Sequence, residues 1–202
     1  FAVSIGRLND RFGARVPMLA GSVLVMLSTL LSAFWPSLPA LFVTATFTSL
    51  GAVAFSVSVQ NTVGHIGKPA DRAKNFSWLS MSFAFGGMVG PMLSGVIIDF
   101  AGHQTAFKVL AVLPLFALAV VGSGRLPLPK PGAQAPEASG QSRASKGAMG
   151  LLANPQMRSV YLLTALHVSA WEIIAFLVPV YGAGIRISAS SIGLILGAFN
   201  AA

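Results

Sequence analysis

The sequence predicts an all-α protein, a polytopic bundle of transmembrane helices, and three observations predict it. Hydrophobic residues fill 54% of the 202 positions and charged residues only 9%, whereas a water-soluble domain carries roughly a quarter charged residues. The apolar residues are gathered into long runs, each about what a helix needs to cross a hydrocarbon core of ~30 Å. The connectors between runs hold the helix breakers and most of the charge, and that charge falls mainly on one side. The net charge of +8 is therefore orientation charge beside a bilayer. Lys and Arg form no run or stripe of the kind that binds nucleic acid, and with no cysteine a disulfide scaffold is excluded. The partner to expect is lipid.

In chain order, residues 1–6 read as the end of one span. Full spans follow at 17–34, 40–63, 76–98, 105–124 and 159–182, and 191–202 reads as the first half of another. These runs are too long for strands and too evenly apolar for surface helices. The connectors WPSLP (35–39), GHIGKPADRAKN (64–75), DFAGHQ (99–104) and AGIRISAS (183–190) are short. Residues 125–157 differ, holding five of the twelve prolines among many Ala, Ser and Gly. That composition buries no core and reads as a flexible linker between a helical group at 1–124 and another at 158–202. The chain opens on Phe1 inside an apolar stretch and stops inside GLILGAFNAA, so an internal fragment, truncated at both ends, is expected.

Alternating the sides of the connectors places 7–16, 64–75 and 125–158 together, with 11 of the 13 Lys and Arg. The short connectors alone preserve the bias. Six basic residues lie in the 22 positions of 7–16 and 64–75, against Lys108 and Arg186 in the 23 positions of 35–39, 99–108 and 183–190. The basic side is expected to face the cytoplasm, and the membrane to be the cell membrane.

The stretch Gly6-Arg7-Leu8-Asn9-Asp10-Arg11-Phe12-Gly13-Ala14-Arg15 is the most specific signal. Gly6 and Gly13 permit a tight reversal between helices. Asp10 offers a carboxylate to a helix N-terminus or an arginine, while Arg11 and Arg15 hold the loop at lipid headgroups. The stretch resembles the cytoplasmic signature G-x-x-x-D-R-x-G-x-R of the major facilitator superfamily, which lies between the second and third of twelve helices. That resemblance implies a major-facilitator-like fold for the whole fragment. Residues 17–124 would be helices three to six, 125–157 the central cytoplasmic loop, and 159–202 the seventh helix and part of the eighth. It also implies that the Asp10 loop latches the two halves of the protein.

Along 76–98, Ser82, Gly86, Gly90 and Ser94 recur every four residues and line one helix face. Such a stripe lets helix backbones approach closely in lipid, and Pro91 lacks the N–H that would bond the Gly87 carbonyl. The run Gly86 to Gly95, GGMVGPMLSG, is similar to the fifth-helix antiporter pattern G-x-x-x-G-P-x-x-G-G, with Ser94 for one glycine. Dense packing without meaning for the transport mode is the alternative. The fourth-helix pattern R-x-x-x-G of proton-coupled members is missing, because Phe47 stands at the arginine position when Gly51 is aligned.

Glu172 is the one acidic residue well inside a span. A carboxyl at that depth is costly unless it faces a cavity or a partner. It is the first candidate for binding substrate, a proton or both, with a structural hydrogen bond as the alternative. His167 shares a face with Trp171 and lies about 140° from Glu172 around a helix, too far for one tight pair. It ranks below Glu172, since a lone membrane histidine is as often a packing group as a proton carrier. Pro179, with Gly182 and Gly184, is a candidate outer hinge. Gln60 and Asn61, near the cytoplasmic end of their span, suit a gate or interhelical hydrogen bonds, and Asn200 could project toward a cavity.

The sequence carries no metal-ligand cluster and no H-E-x-x-H, phosphate-loop or dinucleotide motif, so neither an enzyme nor a resident cofactor is expected. The resemblance implies secondary active transport of a small solute by alternating access, with proton-coupled drug efflux as the preferred mode. The alternatives are a symporter or uniporter for a small organic solute, and a scaffold or sensor that kept the fold without transport.

Overall fold

The computed structural model describes residues 2–126, 128 and 155–201. The described elements are helical: α1 (Ala2–Phe12), α2 (Arg15–Phe34), α3 (Leu38–His65), a 3-10 turn (Pro69–Asp71), α4 (Arg72–Leu110), α5 (Val112–Gly122), α6 (Pro155–Gly184) and α7 (Ala189–Ala201). The linker expected at 125–157 lies largely outside the described residues.

The connectors act where their chemistry predicts. Gly13 takes φ +77° and its N–H bonds the Asn9 carbonyl at 2.8 Å, so it closes α1 as a left-handed cap. Ser37 caps α3 by accepting from the Ala40 N–H at 3.3 Å, and Pro39 sits in the first turn, where no N–H is needed. Gly6, expected to share the reversal, lies instead inside α1 with open space around it. The turn is made by Gly13 alone.

Four helical stretches are long and apolar enough to cross a membrane: Arg15–Phe34, Leu38–His65, Arg72–Gly122 and Met157–Gly184. The third has 51 residues. At 1.5 Å per residue it would extend about 76 Å, more than twice a bilayer core. It is two passes. Gly102 has non-helical angles (φ 79°, ψ 169°), and the segment after it returns antiparallel to α2. Lys108, near its start, lies over the Phe34 ring at the end of α2; Gly122, at its end, accepts a 2.7 Å hydrogen bond from Arg15 at the start of α2. The spans expected at 76–98 and 105–124 are thus joined by a one-glycine reversal. A second interruption, at Ala111, keeps helical angles (φ −66°, ψ −17°). Pro114 has no N–H for the Leu110 carbonyl there.

Packing relies on small residues and hydroxyls. α2 and α3 cross at Gly21 and Gly51, where a Cβ on either would sit 2.6 Å from the other's carbonyl oxygen. Farther out, Ser28 and Thr48 share a 2.8 Å hydrogen bond, Ser32 donates to Thr44 at 2.7 Å, and Thr44 donates to the Ser28 carbonyl at 2.7 Å. Large apolar side chains point outward, among them Phe34 (74% exposed), Phe100 (88%) and Phe116 (71%). A surface of this kind is matched to lipid tails.

Candidate functional site

Three places carry the polar chemistry: the basic-side hairpin, the seam between α4 and α7, and the inner part of α6. At the hairpin, the Arg15 guanidinium donates to the Gly122 carbonyl. Arg15 thereby supplies a cation and a donor to the exposed C-terminal end of α5. Arg11 lies over the Phe12 ring, 5.3 Å from its centroid. Below them Asn9 is buried at 3% exposure and accepts from the Ser58 hydroxyl of α3 at 2.9 Å. The hairpin is therefore tied to α3 and to the end of α5. The Asp10 side chain lies outside the described residues.

The seam is built largely on glycines that face backbone of the opposite helix. A Cβ on Gly95 would run into the carbonyl of Ala189, and one on Gly193 into the carbonyl of Pro91. A Cβ on Gly197 would lie 2.7 Å from the Met88 oxygen, and one on Gly87 would lie 2.8 Å from the Asn200 carboxamide oxygen. Positions 87, 91 and 95 recur every four residues and form one helix face, running antiparallel to Gly193, Gly197 and Asn200. Asp99, the next position on that face, closes the outer end. Its carboxylate accepts from the N–H of Ala189 at 2.9 Å and of Ser190 at 2.8 Å. Beside it lies a cavity of about 640 Å³ whose lining includes Ser94, Asp99, His103, Pro179 and Ser188.

The close-packed face therefore differs from the expected stripe. Gly86 and Gly90 have nothing within 4 Å of a built Cβ, and Ser82 and Ser94 bond their own helix, at the carbonyls of Trp78 and Pro91. Pro91 and Gly95 do lie in the seam. Gly86 and Gly87 are adjacent, so the four-residue spacing fits either face; the partner helix selects the one through 87, 91 and 95. A sequence signal for that partner existed, since Gly193-x-x-x-Gly197 is a small-residue pair on one helix face. Asp99 was overlooked because it stands just past the apolar run.

On α6, Glu172 and His167 are exposed. Trp171 packs against Phe199 of α7, ring centroids 4.4 Å apart and planes tilted by 37°, which turns the Trp171 face toward α7 and sets Glu172 about 100° away. Pro179 lies inside α6 and lines the outer cavity. On α3, Gln60 donates to Ser56 at 3.1 Å and the Asn61 carbonyl meets the His65 ring at 2.7 Å. Asn200 packs in the seam, with its amide donating to the Leu196 carbonyl at 2.8 Å. The structure thus sets Pro91, Gly95 and Asn200 at successive points along one seam, while Gln60 and Asn61 bond within α3 and Glu172 is exposed on α6. Among the described residues no group of three or more His, Asp or Glu could hold a metal ion.

A family model, the Major Facilitator Superfamily, matches residues 1–202. The tetracycline resistance protein, class B, of Escherichia coli is 32% identical over 125 residues, covering 60% of this chain and 30% of that protein. The synaptic vesicular amine transporter of Mus musculus is 30% identical over 112 residues, covering 55% of this chain and 22% of that protein. This chain thus matches less than a third of either relative's length. The crystal structure of the peptide transporter POT in complex with alafosfalin has a TM-score of 0.57 and 24% identity, covering 91% of this chain and 38% of that one. A likeness at that identity speaks for the fold alone.

Proposed function

The chain belongs to the major facilitator superfamily, and from that premise we propose that it is the middle of a secondary transporter that moves a small organic solute by alternating access. In this reading 1–124 belongs to one helical bundle, 125–157 is the cytoplasmic linker, and 158–202 begins the second bundle. The observation that carries the reading is the α4–α7 seam. Two helices from opposite sides of the linker approach closely at Gly87, Gly95, Gly193 and Gly197, three of which would set a Cβ against a backbone carbonyl of the facing helix, an arrangement suited to bundles that part and close. The excess of Lys and Arg in the connectors on the hairpin's side supports the cytoplasmic placement of that side.

Proton-coupled efflux is the favoured mode: relatives named for tetracycline resistance and amine transport support a small organic solute, and the Gly-Pro run of α4 resembles the antiporter pattern. Glu172, at mid-helix and off the α7-facing side, is the residue assigned to proton or substrate. The missing fourth-helix arginine, with Phe47 in its place, is the observation that favours symport or uniport instead. The test is flux through the full-length protein in proteoliposomes under an imposed pH gradient, with tetracycline and monoamines as probes. Efflux by proton exchange predicts uptake only when the vesicle interior is acidic, symport predicts it only when the exterior is acidic, and both collapse when the gradient is dissipated. Gradient-independent uptake points to uniport, and absence of flux for every probe leaves a scaffold or sensor.

A further inference from the structure

The α7 N-terminus satisfies its first N–H groups from two sources. The Ser191 N–H bonds the Ser188 hydroxyl at 3.2 Å, within the same segment, and the Ile192 N–H bonds the Ser188 carbonyl at 3.1 Å. The Ala189 and Ser190 N–H groups instead bond the two carboxylate oxygens of Asp99, on α4. A carboxylate at a helix N-terminus is held by charge-assisted hydrogen bonds and by the helix dipole. The Ser190 hydroxyl adds a side-chain hydrogen bond to the same carboxylate, and below it the seam is close packing at Gly87, Gly95, Gly193 and Gly197. Both backbone bonds to Asp99 are exposed, so water can replace them when the helices part. The dry glycine contact below contributes packing but no directional lock.

We propose that Asp99 is a releasable outer clasp: its carboxylate, seated on the N-terminus of α7, holds the outer end of the α4–α7 seam shut. The inference rests on the two-bundle reading above and adds to it the group that sets the closed state. When the clasp is made, the space lined by Ser94 and Ser188 is bounded by both helices. When it breaks, two N–H groups and a carboxylate pass to water, and the helices are joined at that end only by dispersion contacts.

The 202 residues contain no cysteine, so Ser94→Cys places a single reporter within them beside the seam. The test is the rate at which a membrane-impermeant maleimide, applied to the outer side of cells making the full-length protein, labels that thiol. Any other cysteine in the full chain is first replaced by serine. Asp99→Asn keeps the side-chain size but sets an amide N–H₂ where one carboxylate oxygen accepted, and Asp99→Ala removes the group. Both are expected to raise the labelling rate about fivefold or more, the scale of a modest coupling free energy. Ser188→Ala removes only the cap internal to the α7 segment, and its rate is expected to stay at the parent value.

Unchanged labelling in both Asp99 variants, or an equal rise in Ser188→Ala, overturns the clasp. Solute flux on the same proteins separates the two readings. Parent flux with unaltered labelling in the Asp99 variants removes the clasp and leaves the transporter. Faster labelling in the Asp99 variants of a protein whose parent shows no flux keeps the clasp and removes transport.

Discussion

The most discriminating perturbation is one methyl group on either side of the α4 backbone. Gly193→Ala places a Cβ against the Pro91 carbonyl, with that carbonyl's carbon at 2.9 Å and the Met92 Cα at 3.3 Å. All three are backbone atoms, so relief requires the two helices to move apart. Overpacking of this kind costs about 1–3 kcal/mol. Replacing glycine by alanine inside a helix returns about 0.8–1.0 kcal/mol through propensity, which leaves a net loss of roughly 0–2 kcal/mol. Gly90→Ala carries the same propensity gain with nothing within 4 Å of its Cβ. In the difference between the two variants the propensity contribution cancels, leaving about 1–3 kcal/mol. Gly197→Ala is expected to fall between them. Its Cβ meets the Met88 oxygen at 2.7 Å, but its other close neighbours, Met92 Cγ and Sδ, belong to a side chain that can move. SDS-titration unfolding in mixed micelles, followed by far-UV circular dichroism, measures all three. Equal losses for Gly90→Ala and Gly193→Ala would refute the assignment of the packed face.

Other expectations follow from the same geometry. In full-length protein, Glu172→Gln is expected to abolish gradient-driven flux while leaving folding intact, and retained flux removes the residue from its assigned role. Ser32→Ala or Thr44→Ala deletes a buried interhelical hydrogen bond; a double-mutant cycle should return about 0.6–1.7 kcal/mol of coupling. Gly13→Ala forces a side chain to φ +77° and should cost about 1–2 kcal/mol, whereas Gly6→Ala, in open helix, should cost none. The check is the same denaturant titration, and a costly Gly6→Ala would return Gly6 to the turn.

Much of the architecture could be read before any coordinates. The runs at 17–34 and 40–63 lie within α2 and α3, because hydropathy is summed over a run and depends little on its neighbours. Gly13 was legible for a similar reason: a left-handed residue ending a helix favours glycine wherever it occurs. Gly6 was misplaced because a glycine inside a helix and one in a turn look alike in sequence. The packed face of α4 was displaced by one residue for a related cause. With small residues at 82, 86, 87, 90, 94 and 95, more than one face is smooth, and spacing alone does not choose between them.

By itself, the sequence determined that the chain is helical and apolar enough to cross a membrane, and it carried the hairpin motif of the family. Each of those properties is local, additive along the chain or set by a short run of residues. Only the tertiary structure decided which glycines bear on a neighbour, that Arg15 reaches the end of α5, and that Asp99 seats on the N-terminus of α7. Those are relations between residues about 90 to 110 positions apart. They exist because helix rotation and the reversal at Gly102 bring distant backbone groups within hydrogen-bond range, a geometry that no window along the chain contains.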